Sequence, residues 1–340
     1  MNEYSLKILH GPVDIAGQAS TICKAQKKIG YLSILLIFNS SVYQYYYDVN
    51  LNLDKKNIIL KILTLGKNFL SCLKYDIYHF HYGRSLLPFN LDLPVLKLFK
   101  KKIVMNYWGS DIIQSDVAIN YTEFTLNDLK EIYPDLVNEK RREKIRRIDK
   151  IVNKSIVGDF SLLPYSPNSV VIRQAIELKY FPFIETKKEK SKIIIVHAPT
   201  NRKIKGTEFI ISAVEKLTNE IGNIELILVE NKTHSEAIEI YKKADIIVDD
   251  ILQGPYGIFA IECMALGKPV LCHIHKNLIS CYEELPIINT NPDTIYYDLK
   301  RLIENPEKME DIGRKGREYV EKNHDSIKIA KQLIKLYRSL

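Results

Sequence analysis

Short apolar runs alternate with amphipathic stretches along the whole chain. The runs that read as strands are 5–10 (SLKILH), 32–38, 76–81, 103–107, 169–173, 192–198, 224–230, 245–249 and 269–274. Between most of them apolar residues recur at helical spacing, and this alternation predicts an α/β chain with parallel, doubly wound sheets. After the NPDT at 291–294 the pattern is helical only, over 295–304, 306–322 and 325–339. A polar, charge-dense stretch at 183–192 separates two strand signals and marks the expected domain boundary. The two halves echo one another. KILHGP at 7–12 and IIVHAP at 194–199 both end a strand on His-x-Pro, and each is followed by a polar loop, a glycine (Gly17, Gly206) and an amphipathic helix. Two such domains would bind ligands at the carboxyl ends of their strands.

Composition changes this picture little. A length of 340 residues suits two domains, each able to bury a core, and 46% apolar with 26% charged residues excludes a disordered chain. The five cysteines are an odd number without Cys-x-x-Cys spacing, so a reducing compartment is expected rather than a disulfide scaffold or a structural zinc. No basic leader precedes an apolar segment, and the longest apolar run, ILLIF at 34–38, is far short of the ~18–20 residues that span a bilayer. The expectation is a soluble, cytoplasmic protein.

Charge changes the picture more. Residues 1–184 carry 25 Lys+Arg and 17 Asp+Glu (25 − 17 = +8), whereas residues 185–340 carry 24 of each, so the net +8 belongs to the first half. It concentrates at 97–102 and in KRREKIRRIDK at 140–150. A solvated helix face explains such runs, and so does a docking face for acidic lipid or an acidic polymer. No nucleic-acid-binding motif accompanies them, so nucleic acid is not an expected partner. The Gly-x-Gly-x-x-Gly fingerprint is absent, which argues against a dinucleotide enzyme.

Three segments could carry chemistry. In HAPTNRKIKGTEFIISAVEKL (197–217) a strand ends, a loop presents Arg202 and Lys205, and Gly206-Thr207 opens a helix. Two cations beside free amides and a positive dipole end suit a diphosphate, although a basic loop could simply solubilise a turn. In GPYGIFAIECMALGKPVL (254–271), Glu262 is the lone carboxylate of an otherwise apolar helix, so it needs a partner, either hydroxyls of a sugar or ribose or a structural cation. NYWGSDI (106–112) sets Asp111 in a loop beyond a strand, as a cleft residue or a helix cap. HFHYGRS nearby brings His79, His81 and Arg84 to another strand end, but no third ligand at suitable spacing suggests a metal.

Taken together these motifs resemble a family-4 glycosyltransferase of GT-B fold, over nearly the whole chain and most densely between 194 and 274. The resemblance implies two Rossmann-like domains with parallel sheets facing a central cleft: an acceptor domain over 1–184, a donor domain over 185–324, and a helix at 325–340 crossing back. It implies a retaining hexosyltransferase using a UDP- or GDP-linked sugar, with a hydroxyl acceptor of glycan or glycolipid type, no cofactor and no metal, and possible peripheral membrane contact. Arg202 and Lys205 would hold the diphosphate, with Gly206 beside them. Glu262 would bind the ribose, and Gly17, Tyr256, Gly257, Ile258 and Phe259 would line the donor. Asp111 would sit beside the reacting sugar as a catalytic residue, with His81, Arg84 and Trp108 on the acceptor side. Two positions depart from the family pattern. Gly254 stands where the first glutamate of a Glu–seven–Glu motif is usual, and Trp108 where a histidine often precedes Gly-Ser-Asp. A catalytically silent relative that binds a glycan or partner protein is the alternative, and a sugar-nucleotide epimerase on the same architecture is a further one.

Overall fold

The computed structural model describes residues 6–41, 45–132, 138–185 and 192–340. The chain divides into two units. The first comprises 1–114, 137–176 and 326–340, and the second 115–136 and 177–325. The excursion 115–136 falls in the second unit and not, as expected, with 1–184, the boundary lies at 176, and the C-terminal helix falls in the first unit. Ser5 and most of the expected link, 186–191, lie outside the described residues.

The first unit is built on seven parallel strands: β1 (Lys7–Gly11), β2 (Leu32–Ile37), β3 (Val49–Asn50), β4 (Ile77–His81), β5 (Lys102–Tyr107), β6 (Lys154–Val157) and β7 (Val170–Val171). Their order is β3-β2-β1-β4-β5-β6-β7. Its helices include α1 (Gln18–Lys28), α2 (Ile58–Cys72), α3 (Asp92–Leu98), α6 (Asn138–Asp149) and the C-terminal α14 (Ser326–Ser339). On one face Ile8, Ile77, Val104 and Ile156 of the sheet meet Ile22 of α1 and Ile329, Leu333, Ile334 and Tyr337 of α14 in one buried cluster. Truncating one such side chain to alanine typically costs about 2–5 kcal/mol, so α14 is integral to this unit although it comes last in sequence.

The second unit has five parallel strands: β8 (Ile193–His197), β9 (Ile224–Leu228), β10 (Ile246–Val248), β11 (Val270–Cys272) and β12 (Ile287–Asn289), ordered β12-β11-β10-β8-β9. Helices α7 (Arg202–Lys205), α8 (Thr207–Ile221), α9 (His234–Tyr241), α10 (Ile258–Ala265), α11 (Lys276–Ile279), α12 (Ile295–Ile303) and α13 (Pro306–Asn323) surround them. The excursion contributes α4 (Ser115–Ala118) and α5 (Leu126–Ile132). The periodic residues Ile210, Ala213, Val214 and Leu217 of α8 pack with Leu299 and Leu302 of α12 against Ile195, Ile246 and Leu271 of the sheet. The sequence pattern misses β3, β6 and β12, which have two to four residues each and give no periodic signal.

Candidate functional site

In the second unit the turn after β8 is fixed by local chemistry. The Asn201 side chain accepts from the Ile204 amide and starts α7. Gly206 then adopts φ +73, and a Cβ there would lie 2.6 Å from Ile251 Cγ1, so only glycine joins α7 to α8 without strain. His197, fully buried at the end of β8, donates from Nδ1 to the Val248 carbonyl (2.8 Å) and accepts at Nε2 from the Thr207 hydroxyl (2.8 Å). Burial lowers its pKa to about 4, so it is a neutral strut.

The two cations expected here are both present, and both are already paired. Arg202 makes a bidentate pair with Glu230, Nε to Oε1 at 2.9 Å and Nη2 to Oε2 at 2.7 Å, on the surface. Lys205 reaches Asp249 Oδ1 at 3.0 Å and Asp250 Oδ2 at 3.4 Å, just beyond β10. Burial alone would lower the Lys205 pKa, but the two carboxylates outweigh it and hold the ammonium above the ordinary lysine value. Asp249 and Asp250, just past the end of β10, are thus the anchor of Lys205.

Glu262, 5% exposed on α10, finds its partner in His234, with Nε2 2.7 Å from Oε1. That hydrogen bond raises the His234 pKa against the opposing effect of burial. His234 opens α9 behind a capping box formed by Thr233 and Glu236. Nothing in the sequence pattern tied it to Glu262, 28 residues away. Gly257, Ile258 and Phe259 begin α10 with their backbone, and the Phe259 ring packs on Tyr241. Tyr256 is turned inward instead: its ring is 2% exposed and its hydroxyl bonds Tyr319 (2.9 Å) and His324 (3.1 Å). Its side chain is therefore a packing element beneath the loop.

The excursion explains Gly254. Thr122 pairs with Gln253 in an antiparallel bridge, and its hydroxyl donates to the Leu252 carbonyl. A Cβ at 254 would lie 2.2 Å from the Tyr121 carbonyl oxygen. No glutamate fits where this strand-like contact runs. The excursion brings a different carboxylate, Glu123, whose Oε1 is 3.0 Å from His273 Nε2.

In the first unit Gly17 stands at the head of α1, and a cavity of about 240 Å³ opens beyond β1 and β2, lined by Asp14, Asn39, Ser40, Tyr45, Tyr46 and Arg84 among others. Asp14, which sequence reasoning passed over, accepts from the Ala19 amide at Oδ1 (2.8 Å), while Oδ2 has no hydrogen-bond partner. Burial raises its pKa to about 6. Its signal was available: an acid just beyond a strand's carboxyl end, as for Asp111. Asp111 itself is turned onto its own loop, with Oδ1 accepting from the Trp108 amide (3.0 Å) and the Gly109 amide (2.9 Å) and Oδ2 buried without a partner. Burial raises its pKa, opposed first by the amide hydrogen bonds from Trp108 and Gly109 and then by Lys144.

The placement of His81 corrects an expectation. It is fully buried and cannot meet an acceptor. His10 joins His79 and His81, so the third imidazole that the spacing did not reveal is present, with ring nitrogens within 4.8 Å of one another. Hydrogen bonds account for these nitrogens in one direction. Trp108 Nε1–H can only donate, so His81 accepts at Nδ1 (3.3 Å) and donates from Nε2 to His10 Nδ1 (3.1 Å). His10 Nε2–H then donates to Gln26 Oε1 (2.8 Å), Gln26 Nε2 to the Tyr337 hydroxyl (3.3 Å), and that hydroxyl to His79 Nδ1 (2.6 Å). Burial holds His10 at about 4 and both others well below the usual histidine value, so all three are neutral. His79 Nε2 ends the chain without a partner.

Two all-parallel Rossmann-like units of this kind define the GT-B fold, the architecture of a large class of glycosyltransferases. No protein-family model matches the chain. Over 104 residues, 29% of this chain and 27% of the relative's length, it is 27% identical to an uncharacterized glycosyltransferase of Methanocaldococcus jannaschii. Similar solved structures include sucrose-phosphate synthase from Thermosynechococcus elongatus, with a TM-score of 0.67, 16% identity and 98% of each chain covered. HepE of Anabaena in complex with UDP-glucose aligns with a TM-score of 0.66 at 12% identity, over 98% of this chain and 100% of that one. A chain from Listeria monocytogenes described as a UDP-N-acetylglucosamine 2-epimerase also aligns, with a TM-score of 0.57 at 12% identity, over 97% and 94%. At these identities the likeness is one of fold.

Proposed function

We propose that the chain is a retaining glycosyltransferase that moves a hexose-type sugar from a UDP- or GDP-linked donor to a hydroxyl of a glycan or glycolipid. The observation that carries this reading is the β8–α8 turn, which holds two cations at the carboxyl end of a sheet in a GT-B fold. The neighbours solved with UDP and UDP-glucose support the donor class. Arg202 would exchange Glu230 for a phosphate oxygen. A solvent-screened surface pair is readily exchanged, and the guanidinium fork that grips the Glu230 carboxylate matches phosphate oxygens equally well. Lys205 stays anchored on Asp249 and Asp250 and offers its third N–H to the diphosphate. Glu262, with one oxygen on His234, accepts from a ribose hydroxyl with the other. Charge developing on the leaving diphosphate falls on Arg202 and Lys205, so the step needs no metal. The acceptor belongs to the first unit, with Asp111, Arg84 and Trp108 beside it. The basic first half makes peripheral contact with an anionic membrane at the cytoplasmic face.

The test is release of nucleoside diphosphate from a panel of nucleotide sugars, with and without added acceptors. Release should be abolished in Asp111→Ala and strongly reduced in Glu262→Ala. Arg202→Ala should bind nucleoside diphosphate about ten- to a hundredfold more weakly by calorimetry. Equal affinity in a folded Arg202→Ala variant would overturn the phosphate assignment. The competing reading, a silent relative, draws on Gly254 and on the paired state of both cations, and it requires donor binding with no release under any acceptor.

A further inference from the structure

The connections β3–β4, β4–β5 and β5–β6 all step the same way along the first sheet, so right-handed crossovers put α2, α3 and α6 on one face, opposite α1 and α14. Two contacts agree with this. The Tyr78 hydroxyl donates to the Cys72 carbonyl at the end of α2 (2.6 Å), and Lys97 Nζ of α3 donates to the Lys150 carbonyl just after α6 (3.0 Å). The second contact also joins the two basic stretches, 97–102 and 140–150.

Helix α2 has two apolar faces. Leu65, Phe69 and Cys72 point inward and are buried. Ile59, Ile62, Leu63 and Leu70 share another face, at i, i+3, i+4 and i+11, and are between 61% and 67% exposed. Leu98 and Phe99, at the end of α3, are 80% and 55% exposed. Single exposed leucines are ordinary, but a helical stripe of this length with a neighbouring pair is not. From 55 to 75 the chain has five lysines and no acid, and from 93 to 110 it has Lys97, Lys100, Lys101 and Lys102 and again no acid. A second copy docked face to face would set these lysines against each other. A bilayer with anionic headgroups answers both the charge and the apolar stripe.

We propose that α2, with the end of α3, is an in-plane membrane anchor. Ile59, Ile62, Leu63 and Leu70 enter the acyl boundary while the flanking lysines meet anionic headgroups. No described helix is long and apolar enough to cross a membrane, so α2 lies along the interface. This rests on the membrane contact given above and names the element that inserts.

The test is co-sedimentation of the full chain with vesicles of phosphatidylcholine, alone or mixed with phosphatidylglycerol. Wild type should partition to the anionic vesicles, and the triple variant Ile59→Ser, Ile62→Ser, Leu63→Ser about tenfold or more weakly. Equal binding of both proteins would leave a purely electrostatic contact and overturn the anchor, and no binding of wild type would overturn both. A wild-type dimer in sedimentation velocity that becomes monomeric in the variant would assign the face to a second copy instead. Diphosphate release with a soluble acceptor, measured on the same samples, should be unchanged by the triple substitution. Its loss in wild type would count against the catalytic reading and not against the anchor.

Discussion

Asp14 lies in the loop beyond β1 and Glu262 within α10, and the two carboxylates differ in their partners. Asp14 has one oxygen on an amide, the other without a partner, and a pKa raised to about 6. A raised carboxylate pKa means that ionisation costs stability in the fold. The cost is absent below about pH 4, grows up to pH 6 and is constant above it. Asp14→Asn should therefore melt higher than wild type at pH 7.5 and show no such advantage at pH 4. The gain is at most about 1–3 kcal/mol, since the residue is only half-buried. If Asp14 serves the acceptor, the same variant loses turnover as it gains stability. Equal melting shifts at both pH values would show that Asp14 is not held against its own charge. For Glu262 the linkage runs through His234, whose raised pKa stabilises the fold below about pH 6.5 and ceases to do so as pH climbs through the raised value. Thermal melts of His234→Gln should thus fall further below wild type at pH 6 than at pH 9. A gap of the same size at both would show that the pair is not charge-linked.

At the scale of elements, much was legible and the exceptions have physical reasons. The repeated His-x-Pro after β1 and β8 marks equivalent positions: His10 bonds Gln26 in α1, and His197 bonds Thr207 in α8. Strands that sit in longer apolar runs were legible even where the strand itself is short, as β10 and β11 are, and so were the three C-terminal helices, whose periodicity extends over several turns. Strand β6, four residues long in the interior of its sheet, was not. The excursion at 115–136 was not legible either, since a bridge between Thr122 and Gln253 is a contact across 131 positions with no local pattern. That bridge determines one feature of the candidate site, the absence of a side chain at 254. Gly254→Glu should fail to restore a family-like donor contact and should destabilise the fold by well over about 1 kcal/mol, because its Cβ meets backbone. A Gly254→Glu protein that melts like wild type would remove this explanation.

For the molecule as a whole, the chain enters its second unit twice and ends in its first, so each unit is completed by residues distant in sequence. The candidate chemistry divides along the same lines: Arg202, Lys205 and Glu262 belong to one unit, and Asp14, Arg84, Trp108 and Asp111 to the other. The charge imbalance, legible from a simple count, follows the first unit's lysine-rich face, but the apolar stripe beside it became visible only when burial showed which face of α2 was already in use. One consequence of the histidine chain is optical. Trp108 is the sole tryptophan of 340 residues, and its indole N–H rests on a neutral imidazole. All tryptophan emission from the protein therefore originates at a single point beside Asp111, and a sugar arriving there would report itself without any label.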